Sequence, residues 1–180
     1  MKYKKENYII LTGGAGGGKS SIIGELRRRG YPVAEETGRA IIRERLAQGL
    51  SPRSDPAEFA RQLFERDLDH YRQHAENTGL TFFDRSFLDS ACLLFLENKP
   101  YFETVTGILR DWRFNEKVFI TPPWEAIFRN DSERDQTFEE SAASFTILDE
   151  WYRAKGYETI VLPKISVEER VEFILHTLDS

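Results

Sequence analysis

The sequence predicts an α/β fold built on a five-stranded parallel sheet, and two observations carry that expectation. Five short apolar runs, at residues 8–11, 31–34, 80–83, 117–120 and 157–162, alternate with stretches of helical periodicity. This is the pattern of parallel strands joined by crossover helices. Residues able to bear chemistry also stand at the C-terminal end of each run: 13–20, Glu35 and Glu36, Asp84 and Arg85, Pro122 and Pro123, Pro163 and Lys164. Open parallel sheets take ligands at that edge, so these clusters are expected to form one composite site.

The elements follow in order. The first strand runs into a glycine-rich loop, and a helix with Ile22, Ile23 and Leu26 leads on to a stop at Gly30, a usual residue just past a helix end. The second strand, 31–34, has Pro32 near its start. After it come Glu35, Glu36 and Arg39, then a helix with Ile41, Ile42 and Leu46, broken at 49–52. Asp55, Pro56 and Glu58 open the next helix as cap, first-turn proline and reach-back acid. Phe59, Leu63, Phe64, Leu68 and Tyr71 form its apolar face. The third strand, 80–83, meets Asp84-Arg85-Ser86. A helix with Leu88, Ala91, Cys92 and Phe95 follows, to a break at 98–100, and another helix spans about 102–114. The fourth strand closes at 121–123. Beyond the charged segment 124–137, a helix over 138–155 stops at Gly156. The fifth strand ends at Pro163, and Ser166 with Glu169 forms a capping box for the last helix.

Composition narrows the function. The chain has 180 residues, 40% of them hydrophobic, with 13 Phe, which suits a single domain over 1–180 with a sizeable core. A net charge of −5 argues against a nucleic-acid surface built on bulk positive charge. The single Cys92 excludes an intrachain disulfide and a Cys-based zinc site, and reads as a small core residue. The three His are scattered. The apolar run behind the basic first residues is too short for a signal peptide, and no run reaches membrane-spanning length. The expectation is a soluble, cytoplasmic protein with neither membrane nor nucleic-acid partners.

The glycine-rich loop is the most specific feature. Gly13, Gly14, Ala15, Gly16, Gly17, Gly18, Lys19 and Ser20 fit the P-loop spacing G-x-x-x-x-G-K-[ST] between a strand and a helix. Backbone N–H groups in a concave loop bind phosphate oxygens, and glycine lets the backbone approach. The helix opening with Lys19, Ser20 and Ser21 adds its positive dipole end. Lys19, expected at an exposed loop–helix junction, would bridge the β- and γ-phosphates of ATP, and Ser20 would hold Mg²⁺. A flexible glycine linker is the alternative, but linkers seldom carry Lys-Ser in this register.

The Mg²⁺ shell needs an acidic partner, and there are two candidates. Asp84 ends the third strand. Asp149-Glu150 follows an apolar run, as in ATPases that polarise a water. Phe138, Ala142, Phe145, Leu148 and Tyr152 recur at helical spacing, and a parallel connection needs a crossover helix there. Asp149 and Glu150 therefore read as solvated helix charges and Asp84 as the metal-side carboxylate, able also to act as a base. Asp84 as a helix cap is compatible with this.

Taken together, the loop, Glu36-x-x-Arg39, residues 82–86, Pro122-Pro123-Trp124 and Glu133-Arg134 make the sequence resemble the kinase branch of the P-loop NTPases. The nearest resemblance is to the small AAA-domain-type ATPases and kinases related to nicotinamide riboside kinases. The resemblance implies a three-layer fold with strand order 2-3-1-4-5 and a lid at about 124–137. It also implies site roles. Glu36 would orient or deprotonate the acceptor hydroxyl, Arg39 would bind an anionic part of the acceptor, and Arg85 would contact phosphate or acceptor. Arg134, with Arg129 second, would serve as lid arginine. Pro163 would lie by the nucleobase, and Trp124 would pack on the acceptor or anchor the lid. Surface charge at a helix start and a solvated loop are the plainer readings of Glu36 and of the lid. The implied activity is Mg²⁺-ATP-dependent phosphoryl transfer to a small acceptor: a nucleoside, nucleotide or riboside. The alternative is an NTP-binding ATPase or switch acting on a protein partner.

Overall fold

The computed structural model describes residues 3–52, 55–129 and 137–179. In chain order the elements are β1 (Tyr8–Gly13), α1 (Lys19–Arg28), β2 (Val33–Ala34), α2 (Thr37–Ala47), α3 (Pro56–Gln73), β3 (Thr81–Asp84), α4 (Phe87–Glu97), α5 (Lys99–Asp111), β4 (Lys117–Thr121), α6 (Phe138–Ala154), β5 (Glu158–Val161) and α7 (Val167–Asp179). The strands pair in parallel in the order β2-β3-β1-β4-β5, as the resemblance implies.

β1, β3 and β4 read as largely apolar runs because both faces of the sheet are covered there, whereas the edge strand β5 is partly exposed. Successive side chains alternate between faces. Tyr8 and Ile10 of β1 join Phe83, Val118 and Ile120 in a core shared with α3, α4, α5 and α6. Ile9 and Leu11 join Phe82 and Phe119 in a second core under α1 and α7. The larger core is aromatic: Tyr71 meets Tyr8, Phe87 and Phe114 edge-on at 4.9, 5.6 and 4.9 Å. Cys92 is buried in it.

Helix starts follow the sequence signals. Asp55 caps α3 by accepting from Glu58 N at 3.1 Å. Ser166 and Glu169 close the capping box of α7.

Four expectations are corrected. The second strand is shorter than 31–34, only Val33–Ala34. The break at 98–100 is one residue wide: Asn98 ends α4 and caps α5, with Pro100 in the first turn, where a missing N–H costs nothing. The helix placed at 102–114 therefore runs from Lys99 to Asp111, and Trp112–Arg113 pairs with Tyr3–Lys4 in a small separate ladder. The Tyr71 hydroxyl lies 3.0 Å from Tyr3 O and 2.9 Å from Arg113 O, fastening that ladder to the body. Finally, Ser86 rather than Asp84 caps α4, in a box with Asp89.

Candidate functional site

The glycine loop links β1 to α1 beneath the C-terminal sheet edge. Gly18 is the N-cap of α1 with φ +85°, a left-handed conformation that glycine adopts without strain. A side chain there would also strike Arg170 Nη1, 2.9 Å from the position a Cβ would take. Lys19 is buried, not exposed as expected, and its Nζ donates to Gly13 O at 3.2 Å and Gly14 O at 3.0 Å. Ser20 and Ser21 are exposed at the helix mouth.

Two cavities flank this loop. The first, about 520 Å³, lies between α2, α3, α4 and α6. Its head is polar, with Glu36, Arg39, Asp67, Arg85 and Asp89, and its walls include Phe59, Leu63 and Leu93. The second, about 510 Å³, opens between the loop and the start of α7, lined by Gly16, Gly18, Lys19, Ser20, Ser21 and Trp124 among others. Arg39 lines both.

In the first cavity an ion-pair chain runs from Arg39 to Glu36 (3.7 Å), from Glu36 to Arg85 (3.4 Å) and from Arg85 to Asp89 (3.4 Å). Arg85 has φ +69°, which costs a non-glycine residue about 1–2 kcal/mol. Its N–H is held by Leu11 O at 2.9 Å. Burial works against its charge, but the carboxylates of Glu36, Asp89 and Asp84 together outweigh it and raise its pKa. Asp89 also accepts from Thr12, from Ser86 N at 3.0 Å and from the Tyr152 hydroxyl at 2.6 Å, so it anchors β1, α4 and α6 together. Asp67, on α3, accepts from Thr37 and from Ser90 Oγ at 2.7 Å. Burial, set against those two hydrogen bonds, pushes its carboxyl up to about 7.

The other expected residues are distributed as follows. Asp84 is buried at the end of β3, in register with Leu11 of β1. Trp124, expected beside the acceptor or as a lid anchor, lies in the second cavity, with the Arg170 guanidinium 4.9 Å above its ring. Arg129 is exposed and lines that cavity. Pro163 does not line it, but its carbonyl accepts at 2.8 Å from Nε of Arg170, which does, together with Ile165, Ser166 and Val167. Arg134 lies outside the described residues. Asp149 is a helix residue bonded to Arg153 at 3.0 Å and to Thr159, and Glu150 is exposed on the same helix. Neither lines either cavity.

The sequence reading missed Asp67, Asp89, Ser141 and Arg170. Asp89 carried a signal, standing three residues after Ser86 where a capping-box acid belongs.

The order of the sheet, the glycine loop and the cavities at its edge define a P-loop protein with the fold of the nucleoside kinases. The chain belongs to the AAA domain family, whose profile matches residues 8–170. No curated protein matches it in sequence. Among solved structures it is similar to deoxyadenosine kinase from M. mycoides with bound dATP, at a TM-score of 0.68 and 15% identity over 96% of this chain and 100% of that one. It is also similar to NadR in complex with NR, at a TM-score of 0.64 and 18% identity. That match covers 96% of this chain and 49% of NadR, so the chain spans about half of that protein. No helix among the described residues is long and apolar enough to cross a membrane.

Proposed function

We propose that this protein is a Mg²⁺-ATP-dependent kinase that transfers the γ-phosphoryl group to a small acceptor carrying a ring and a hydroxyl: a nucleoside, nucleotide or riboside. One observation carries the reading. Two cavities of similar volume flank the glycine loop, and Arg39 lines both. A hydrolase needs one such cavity and a water. A transferase needs two, meeting where the group crosses.

The second cavity is the donor site, with the phosphates in the loop and Lys19 turning from its two loop carbonyls toward them. The first is the acceptor site. Its apolar walls suit a planar ring, and its charged head suits a hydroxyl. Glu36 lines it and orients the hydroxyl and takes its proton. The acceptor oxygen then bonds to the γ-phosphorus as the β–γ bridging bond breaks, and the leaving charge is met by Lys19 and the loop N–H groups. Arg39 and Arg85 hold the transferring group between the cavities, and most of the rate comes from this positioning. Ser20 and Asp84 offer a hydroxyl and a carboxylate, hard oxygen donors of the kind Mg²⁺ takes alongside phosphate and water. When bound, the ion neutralises phosphate charge. Arg129 and, outside the described residues, Arg134 are the candidate lid arginines. The kinase structures of the same fold, one of them with dATP bound, support the reading in kind.

The test is a screen of nucleosides, nucleotides and nicotinamide riboside for acceptor-dependent ADP release. Release stimulated by one acceptor class, with a phosphorylated product, supports the kinase. Hydrolysis equally fast without any acceptor favours an ATPase.

A further inference from the structure

Several carbonyls of the glycine loop are engaged by donors. Gly13 O and Gly14 O accept from Lys19, Gly18 O accepts from Ile22 N at 3.3 Å, and two more are taken from outside the motif. Ser141 Oγ, on α6, donates to Ala15 O at 2.6 Å. Arg170 Nη1, on α7, donates to Gly17 O at 3.1 Å. Both side chains are almost fully buried, each residue 1% exposed.

We propose that Ser141 and Arg170 are positioning residues of the phosphate site, each pinning one loop peptide so that the next N–H faces the anion. The inference rests on reading the loop as a phosphate cradle. A peptide unit is planar and trans, and no cis bond occurs among the described residues. A carbonyl drawn toward α6 or α7 therefore sends the N–H of the following residue the opposite way. Ser141 sets Gly16 N–H through Ala15 O, and Arg170 sets Gly18 N–H through Gly17 O. A carbonyl turned the other way would present negative charge to phosphate, so the pinning guards against the wrong orientation as well as favouring the right one. Glycine, with the widest backbone freedom, is where such outside restraint matters most.

Arg170 has a second feature that fits. It bridges Pro163 O and Gly17 O through two different nitrogens, Nε and Nη1, of one rigid guanidinium, a fixed fork that the single nitrogen of an ammonium does not reproduce. Burial lowers its pKa, and no carboxylate offsets this among the described residues. A buried cation without a counter-charge is costly, and an anion in the adjacent loop would provide one.

The experiment measures binding of Mg-ATP and of magnesium pyrophosphate by calorimetry to wild type, Arg170→Met, Arg170→Lys and Ser141→Ala, with thermal melts alongside. Pyrophosphate reports the cradle without the nucleobase. The expected result is a loss of about tenfold or more for both ligands in Arg170→Met, little recovery in Arg170→Lys, and a smaller loss for both in Ser141→Ala, with folded melts throughout. Loss for ATP but not pyrophosphate would overturn the inference, placing Arg170 in nucleoside contact instead. Full recovery in Arg170→Lys would also overturn the two-carbonyl pinning by Arg170, since a single-nitrogen cation would then suffice. If Arg170→Met does not fold, Ser141→Ala decides: unchanged pyrophosphate affinity in that variant refutes pinning. Wild type binding neither ligand would overturn the cradle reading itself, a result distinct from any of these.

Discussion

The carboxylate of Glu36 lies 3.4 Å from the guanidinium of Arg85, although the two residues leave the sheet from different strands. Glu36 follows β2 and stands at the N-cap position of α2 without a side-chain cap bond, and Arg85 follows β3. Because β2 and β3 are neighbours, their C-terminal ends deliver a carboxylate and a guanidinium to the same corner of the first cavity. Each charge holds the other in place, so neither side chain needs a substrate to be ordered.

Glu36→Gln should therefore damage turnover more than stability. It keeps the shape and an acceptor oxygen for Arg85 but removes the base. Steady-state rates with the acceptor found in the screen should fall by about 10²-fold or more, while the melting temperature changes little. A rate within a few-fold of wild type would remove Glu36 from the proton-transfer role.

Lys19→Ala should abolish phosphoryl transfer, with a loss of about 10²-fold or more as for other charge-stabilising donors. Because Lys19 is buried and bonded to Gly13 O and Gly14 O, a modest drop in melting temperature should accompany it. Near-wild-type turnover in a folded variant would contradict the glycine-loop assignment.

Asp84→Asn should reduce turnover far more than Glu150→Gln. Asp84 ends a central strand, whereas Glu150 lies exposed on α6. Parallel kinetics on the two variants decide the matter, and a steep loss confined to Glu150 would restore the hydrolase alternative.

The sequence exposed what depends on local pattern. β1, β3 and β4 were legible because both faces are apolar, and the loop because Lys19 and Ser20 sit in register. The starts of α3 and α7 were legible from Asp55-Pro56 and from Ser166 with Glu169. Pro100 misled because a first-turn proline looks like a break. Asp67 and Arg170 were missed for a different reason. Each lies on the apolar face of its helix, with Phe64, Leu68 and Tyr71 around the one and Val171 and Ile174 around the other. That spacing marks a buried polar group, but its partners, Thr37 and Ser90 or Gly17 and Pro163, are distant in sequence. The ladder of Tyr3–Lys4 with Trp112–Arg113 is likewise long-range, and too short to show periodicity.

Asp67 should make stability fall as pH rises. Its carboxyl is raised from 3.8 to about 7, mainly by burial. The folded state thus holds the proton more tightly than the unfolded chain between those values. The contribution is complete below the unfolded pKa and is lost as pH climbs through the folded one. Asp67→Asn mimics the neutral acid and cannot ionise, so the melting temperature of wild type relative to this variant should decline from pH 5 to pH 8. A constant difference across that range would show that Asp67 does not carry a raised pKa.

Arg85 gives a prediction about strain. It holds φ +69° while paired with Glu36 and Asp89. Non-glycine residues in that region concentrate at functional sites, where surrounding contacts maintain them. Arg85→Ala and Arg85→Gly both delete the ion pairs, so comparing the two isolates the backbone. Glycine gains entropy in the unfolded chain, which alone would make it the less stable variant. In the left-handed region the strain on alanine outweighs this, and Arg85→Gly should be the more stable by about 1 kcal/mol. Neither should transfer phosphate at a useful rate, because both lack the guanidinium at the proposed acceptor cavity. The measurement pairs denaturant melts of the two variants with ADP release in the presence of acceptor. If Arg85→Ala is the more stable, the left-handed turn is not held against strain and its link to function fails. If glycine stabilises and activity survives, the turn is strained but Arg85 is not part of the transfer machinery.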